Sequence, residues 1–149
     1  MPSVRAKKSS PLPAKKKEKA RPPELLGKLI NVAMDLERRT MQLYCRFEHL
    51  FREPDEVRNF WLEMAAHEAR HFGGLALVAG LLEVTPQRSL PAAPNLRRAH
   101  VLHLNNLLTR VEAEAKSGIT LTRAFEIALE IEGSEIEDLV LDLLMILKG

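Results

Sequence analysis

The chain has 149 residues, 46% of them hydrophobic and only 5% aromatic, with one cysteine and a formal net charge of +2. That length suits a single domain with a buried core, and one cysteine excludes an intrachain disulfide framework or a Cys-x-x-Cys metal knuckle. No apolar run approaches the roughly 18 residues of a membrane-spanning helix, and the cysteine usage fits a reducing cytoplasm.

The charge is unevenly placed. Residues 1–22 hold eight Lys/Arg and one Glu, whereas the rest of the chain holds 14 Lys/Arg and 19 acidic residues. The N-terminal segment reads as a disordered tail, because Pro11, Pro13, Pro22 and Pro23 break helix and Lys15, Lys16 and Lys17 repel one another. It can act as a solubilising arm or as an anchor for nucleic acid, anionic lipid or an acidic partner. No aromatic residue interleaves the lysines, so stacking on bases has no support. No apolar segment follows the basic one, so a secretory signal is not expected.

A helix is predicted from about Glu24 to Arg52, with Leu26, Leu29, Ile30, Ala33, Met34, Met41, Tyr44 and Leu50 at three- and four-residue spacing. Pro54 ends it. A second helix is predicted from about Asp55, as N-cap, to Leu82. Its stripe is Val57, Phe60, Trp61, Met64, Phe72, Leu75, Val78 and Leu82. The short link makes the pair an antiparallel hairpin. Residues 83–95, with Pro86, Pro91 and Pro94, read as a loop. A third helix spans roughly Leu96 to Lys116 on Leu104, Leu107, Leu108 and Val111, and Gly118 stops it. Thr120 or Thr122 can cap a last helix that reaches about Leu147, with the stripe Phe125, Ala128, Leu129, Ile136, Leu139, Val140, Leu143 and Leu144. Four amphipathic helices without a strand signal imply an all-α antiparallel bundle over residues 23–149.

Carboxylates on apolar faces are the informative feature. Glu37 lies between Ala33 and Met41, and Glu68 between Met64 and Phe72. His71 follows Glu68 by three, and Glu132 lies between Ala128 and Ile136. Glu135 is on nearly the same side as Glu132 and is a further candidate metal ligand, while Glu126, Glu130 and Glu137 fall on the opposite, solvated face. An uncompensated buried carboxylate costs on the order of several kcal/mol, so these groups must be protonated, paired or bound to a cation. Lys and Arg are scarce in the stripes. Oxygen ligands with an imidazole suit iron or manganese, with zinc as a further candidate. The Glu68-x-x-His71 spacing brings both side chains to one point on a helix. There the Glu can bridge two metals while the His caps one. Cys45 reads as a small core residue.

These residues resemble a known family. "NVAMDLERRTMQLY" is similar to the opening helix of ferritin-like, rubrerythrin-related proteins. "WLEMAAHEARHFGGL" is similar to their second helix, and "TLTRAFEIALEIEGSEIEDL" to the start of their second helical repeat. An internal repeat supports the likeness: Ala33-Met-Asp-Leu-Glu37 aligns with Ala128-Leu-Glu-Ile-Glu132. The resemblance covers about residues 25–145. It implies a ferritin-like bundle that binds iron and oxidises ferrous iron with oxygen or peroxide. Glu37 and Glu132 would be terminal ligands, Glu68 the bridge and His71 the cap. Tyr44 would be a hydrogen-bond donor or radical scavenger, or ordinary core.

The family's second repeat carries its own Glu-x-x-His helix, and none follows Glu132 before Gly149; Leu139 stands where the first repeat has Tyr44. Three expectations follow. A homodimer completes the site, the site holds one metal, or the protein is a helical interaction module whose acids meet solvent or pair with Arg39, Arg70 or Arg123. His100 and His103 could add a ligand, though exposed or core roles suit them better. A rival motif overlaps the same segment. His67-Glu68-Ala-Arg-His71 fits the His-Glu-x-x-His pattern of zinc proteases, in which both histidines bind zinc and the Glu activates water.

Overall fold

A computed structural model describes residues 22–84 and 98–134. Those residues form four helices and no strand: α1 (Pro22–Leu50), α2 (Asp55–Val84), α3 (Arg98–Ser117) and α4 (Leu121–Glu132). The protein is an all-α helical bundle. The segments expected to form a basic tail (before Pro22), a proline-rich loop (85–97) and the rest of the last helix (from Glu135) lie outside the described residues. No helix among the described residues is long and apolar enough to cross a membrane.

The first two helices form the predicted hairpin. Leu26, Ile30 and Ala33 near the start of α1 pack with Leu75 and Val78 near the end of α2. Leu43, Tyr44 and Phe47 near the end of α1 pack with Trp61 and Ala65 near the start of α2. Opposite ends meet, so the helices are antiparallel. The turn differs in one detail from expectation. The Pro54 carbonyl accepts from the N–H groups of Val57 (3.0 Å) and Arg58 (3.3 Å), so Pro54 takes the N-cap position. Asp55 falls inside the first turn, where with Glu56 its charge suits the positive end of the helix dipole.

The other two helices form a second antiparallel pair. Gly118 separates them with φ +107°, a left-handed conformation that a side chain would disfavour. Thr120 caps α4 as predicted, its hydroxyl oxygen accepting from the Arg123 N–H at 3.1 Å. Arg123 Nε donates to Glu114 at 2.6 Å, and Arg110 meets Glu130 at 3.4 Å, which fixes the register. Leu104, Leu107, Leu108 and Val111 are all buried, as their spacing predicts.

The two pairs join through one apolar cluster and one polar tie. Leu36 and Leu43 of α1 share a core with the α3 leucines and with Ala124, Ile127, Ala128 and Ile131 of α4. Beside it, Arg39 donates to Glu112, to Asn105 Oδ1 (2.7 Å) and to Thr109 (3.2 Å). Its side chain is mostly covered, so these charge-assisted bonds are only partly screened. Arg39→Ala is expected to cost about 1 to 2 kcal/mol of unfolding free energy in urea. A loss under about 0.5 kcal/mol would assign the α1–α3 contact to apolar packing alone.

Several expected core positions are corrected. Cys45 is exposed, one position past the buried Tyr44. Leu50 and Phe60 are also exposed, near the turn between α1 and α2, and Leu129 points out from α4. Leu36, Leu43 and Phe47 are buried instead. Leu36, Leu43 and Phe47 are buried because they share one apolar cluster with α3 and α4.

Candidate metal centre

Glu37 and Glu68 are only 1% and 3% exposed, although neither is an apolar residue. They lie where the two apolar clusters of the bundle meet, Glu37 one turn past Ala33 and Glu68 one turn past Met64. Because residues three apart share a helix face, His71 stands over Glu68, with its Nδ1 3.4 Å from Glu68 Oε2. The same Nδ1 is 3.7 Å from Glu37 Oε2. The hairpin thus brings together the three residues that the sequence placed on two separate stripes.

The fourth residue arrives from α4. Glu132 is half-buried, and its Oε1 accepts a hydrogen bond from the Tyr44 hydroxyl at 2.8 Å. Tyr44 is fully buried and packs on Phe47 and Trp61, so both roles considered for it, hydrogen-bond donor and core residue, are realised. Burial pushes its hydroxyl far above the ordinary range, and the charge and hydrogen bond of Glu132 push further, followed by Glu68 and Glu37. It therefore remains a neutral donor that fixes the Glu132 carboxylate. Glu68 is pushed up to about 9, chiefly by burial, then by hydrogen bonding to Glu37, by the negative charge of Glu37, and by that of Glu132; His71 works in the opposite direction.

The arginines that could have neutralised these acids are engaged elsewhere. Arg39 holds Glu112, and Arg123 holds Glu114, Glu126 (3.3 Å) and Glu130 (3.2 Å). Arg70 is exposed. Glu126 and Glu130 lie on the solvated face, as expected. His103 is exposed, the side chain of His100 is outside the described residues, and Thr40 satisfies its hydroxyl on the Leu36 carbonyl at 2.9 Å.

The donor set fits a divalent cation. Two ligands each about 2.1 Å from one ion can be at most about 4.2 Å apart. The 3.4 Å and 3.7 Å separations around His71 Nδ1 fall inside that limit. Carboxylate oxygens with an imidazole suit iron, manganese or zinc.

Sequence reasoning gave His67 no ligand role in the iron reading, yet it belongs to the same group. Its Nδ1 lies 3.7 Å from Glu68 Oε1, its ring centroid is 4.2 Å from that of His71, and ligand atoms of His67, Glu68 and His71 fall within 4.8 Å of one another. The signal was present in the four-residue spacing of the two histidines, which puts them on one face. The same pair is what the zinc-protease motif requires. Glu68, however, is enclosed by the bundle beside Glu37 rather than open to a substrate, and the described residues include no strand edge to hold a peptide. No family model matches the chain, and neither does any curated protein or solved structure.

Proposed function

We propose that this protein binds iron in the manner of ferritin-like carboxylate proteins, with Glu37, Glu68, His71 and Glu132 as ligands. One observation carries the reading: the buried carboxylates of Glu37 and Glu68 meet the His71 imidazole between the two apolar clusters, and half-buried Glu132 of α4 adds its negative charge to Glu68. Such a cluster costs several kcal/mol unless a proton or a cation compensates it. Glu68 has neighbours on both oxygens and is the natural bridge. Tyr44 orients Glu132 through its hydroxyl, and the clusters on either side keep bulk water from Glu37 and Glu68.

Bound iron supplies one-electron redox chemistry, with oxygen or peroxide as the oxidant of the ferrous ion. Manganese and zinc are the competing cations for the same donors. Three carboxylates and one imidazole are a small set for two ions. Either a second copy of the chain or another ligand of this chain enlarges it. A homodimer is the first of these solutions. The exposed Cys45 thiol suits a reducing compartment such as the cytoplasm.

Metal analysis after anaerobic loading with ferrous iron tests the proposal. The wild-type protein is expected to retain iron, and Glu68→Ala and His71→Ala to weaken binding by roughly 100-fold or more. Equal, negligible iron in all three, with helical content intact by circular dichroism, ends the metal reading.

A further inference from the structure

We propose that His67 creates a second cation position on the solvent side of Glu68, so that a single chain holds two divalent cations with Glu68 between them. This rests on the reading of Glu37, Glu68 and His71 as metal ligands. The two oxygens of Glu68 face different imidazoles. Oε2 lies 3.4 Å from His71 Nδ1, and Oε1 lies 3.7 Å from His67 Nδ1. A carboxylate with a nitrogen donor beside each oxygen is arranged to serve two ions, one per oxygen.

The inner position has Glu37 Oε2, Glu68 Oε2 and His71 Nδ1. The outer position has Glu68 Oε1 and His67 Nδ1, whose separation of 3.7 Å is short enough for a shared ion by the limit of about 4.2 Å. Exposure is graded along the same line. Side-chain exposure falls from 38% at His67 to 16% at His71, 4% at Glu68 and 1% at Glu37. An ion in the outer position therefore keeps access to water, which fills its remaining coordination, while the inner one is enclosed by protein.

Two features of α2 produce this arrangement. The four-residue spacing of His67 and His71 puts both rings on one face with centroids 4.2 Å apart. Adjacent residues on a helix point about 100° apart, so with Glu68 packed inward His67 stays at the rim. A surface histidine with no role on this face would be free to extend into solvent, whereas this one directs a ring nitrogen at a buried carboxylate. Imidazole in both positions favours iron, cobalt or zinc over magnesium or calcium, which prefer all-oxygen ligands. The second imidazole is thus provided by the residue next to Glu68 on the same helix.

Equilibrium dialysis against cobalt(II), with its visible absorption as a second readout, tests the assignment. Two cobalt ions per wild-type chain are expected, and one per chain of His67→Ala, whose remaining ion keeps its affinity. His67 is partly exposed on a helix surface, so that variant should fold, and circular dichroism checks it. The same stoichiometry in wild type and His67→Ala, whether one or two, overturns the outer position. One ion in both leaves the ligand reading of Glu37, Glu68 and His71 standing. No cobalt in the wild type removes both.

Discussion

Metal-free protein is expected to melt about 10 °C lower at pH 8.5 than at pH 5.5, and Glu68→Gln to abolish most of that difference. Glu68 has its carboxyl pushed up to about 9 from the ordinary 4.5. In the unfolded chain the proton leaves near the ordinary value; in the folded chain it stays until about 9. Between those two values folding takes up a proton, so stability falls as pH rises. The loss begins near 4.5 and is complete near 9. A difference of one pKa unit is worth about 1.36 kcal/mol, so the three-unit interval costs at most about 4 kcal/mol.

Gln is neutral at every pH and keeps the shape of the protonated Glu, so the variant isolates the contribution of this group. Anaerobic ferrous iron should reverse the trend, because a bound cation replaces the proton and binding strengthens with pH. A wild-type melting profile that parallels the Gln variant from pH 5.5 to 8.5 would sink the claim that Glu68 holds its proton in the folded core.

Trp61→Ala is expected to cost about 3 to 5 kcal/mol, a large share of the roughly 5 to 15 kcal/mol that stabilises a domain. Trp61 is fully buried and is the aromatic hinge of three helices. Its ring lies 4.9 Å from Phe47 of α1 edge-on, 4.9 Å from Phe60 of its own helix, and 5.2 Å from Phe125 of α4 in a stacked arrangement. Removing it leaves a cavity that neighbours on three separate helices cannot all close.

The indole N–H has no hydrogen-bond partner among the described residues, so Trp61→Phe keeps the ring contacts and should cost less, about 1 to 2 kcal/mol. Urea unfolding of both variants checks the order. An alanine variant as stable as the phenylalanine one would mean that α4 is held by other contacts. The substitution also bears on the metal site. Phe125 secures the start of α4, and the end of α4 carries Glu132.

The helices themselves were legible in the chain, because their causes are local. Apolar spacing marked all four, Pro54 and Gly118 marked the breaks, and Thr120 marked the start of α4. Glu37, Glu68, His71 and Glu132 stood out for the same reason: a charged group on an apolar stripe needs no knowledge of the neighbours to be noticed. Tertiary structure decided what a helical period cannot. It chose which flank of each helix is covered, burying Leu36, Leu43 and Phe47 and exposing Cys45, Phe60 and Leu129, because α3 and α4 approach from directions that no single helix specifies. It also sent Arg39 and Arg123 to Glu112 and Glu114 rather than to the buried acids. Finally it turned His67 toward Glu68. Spacing puts His67 and His71 on one face, but only packing against α1 and α4 determines that Glu68 points inward between them.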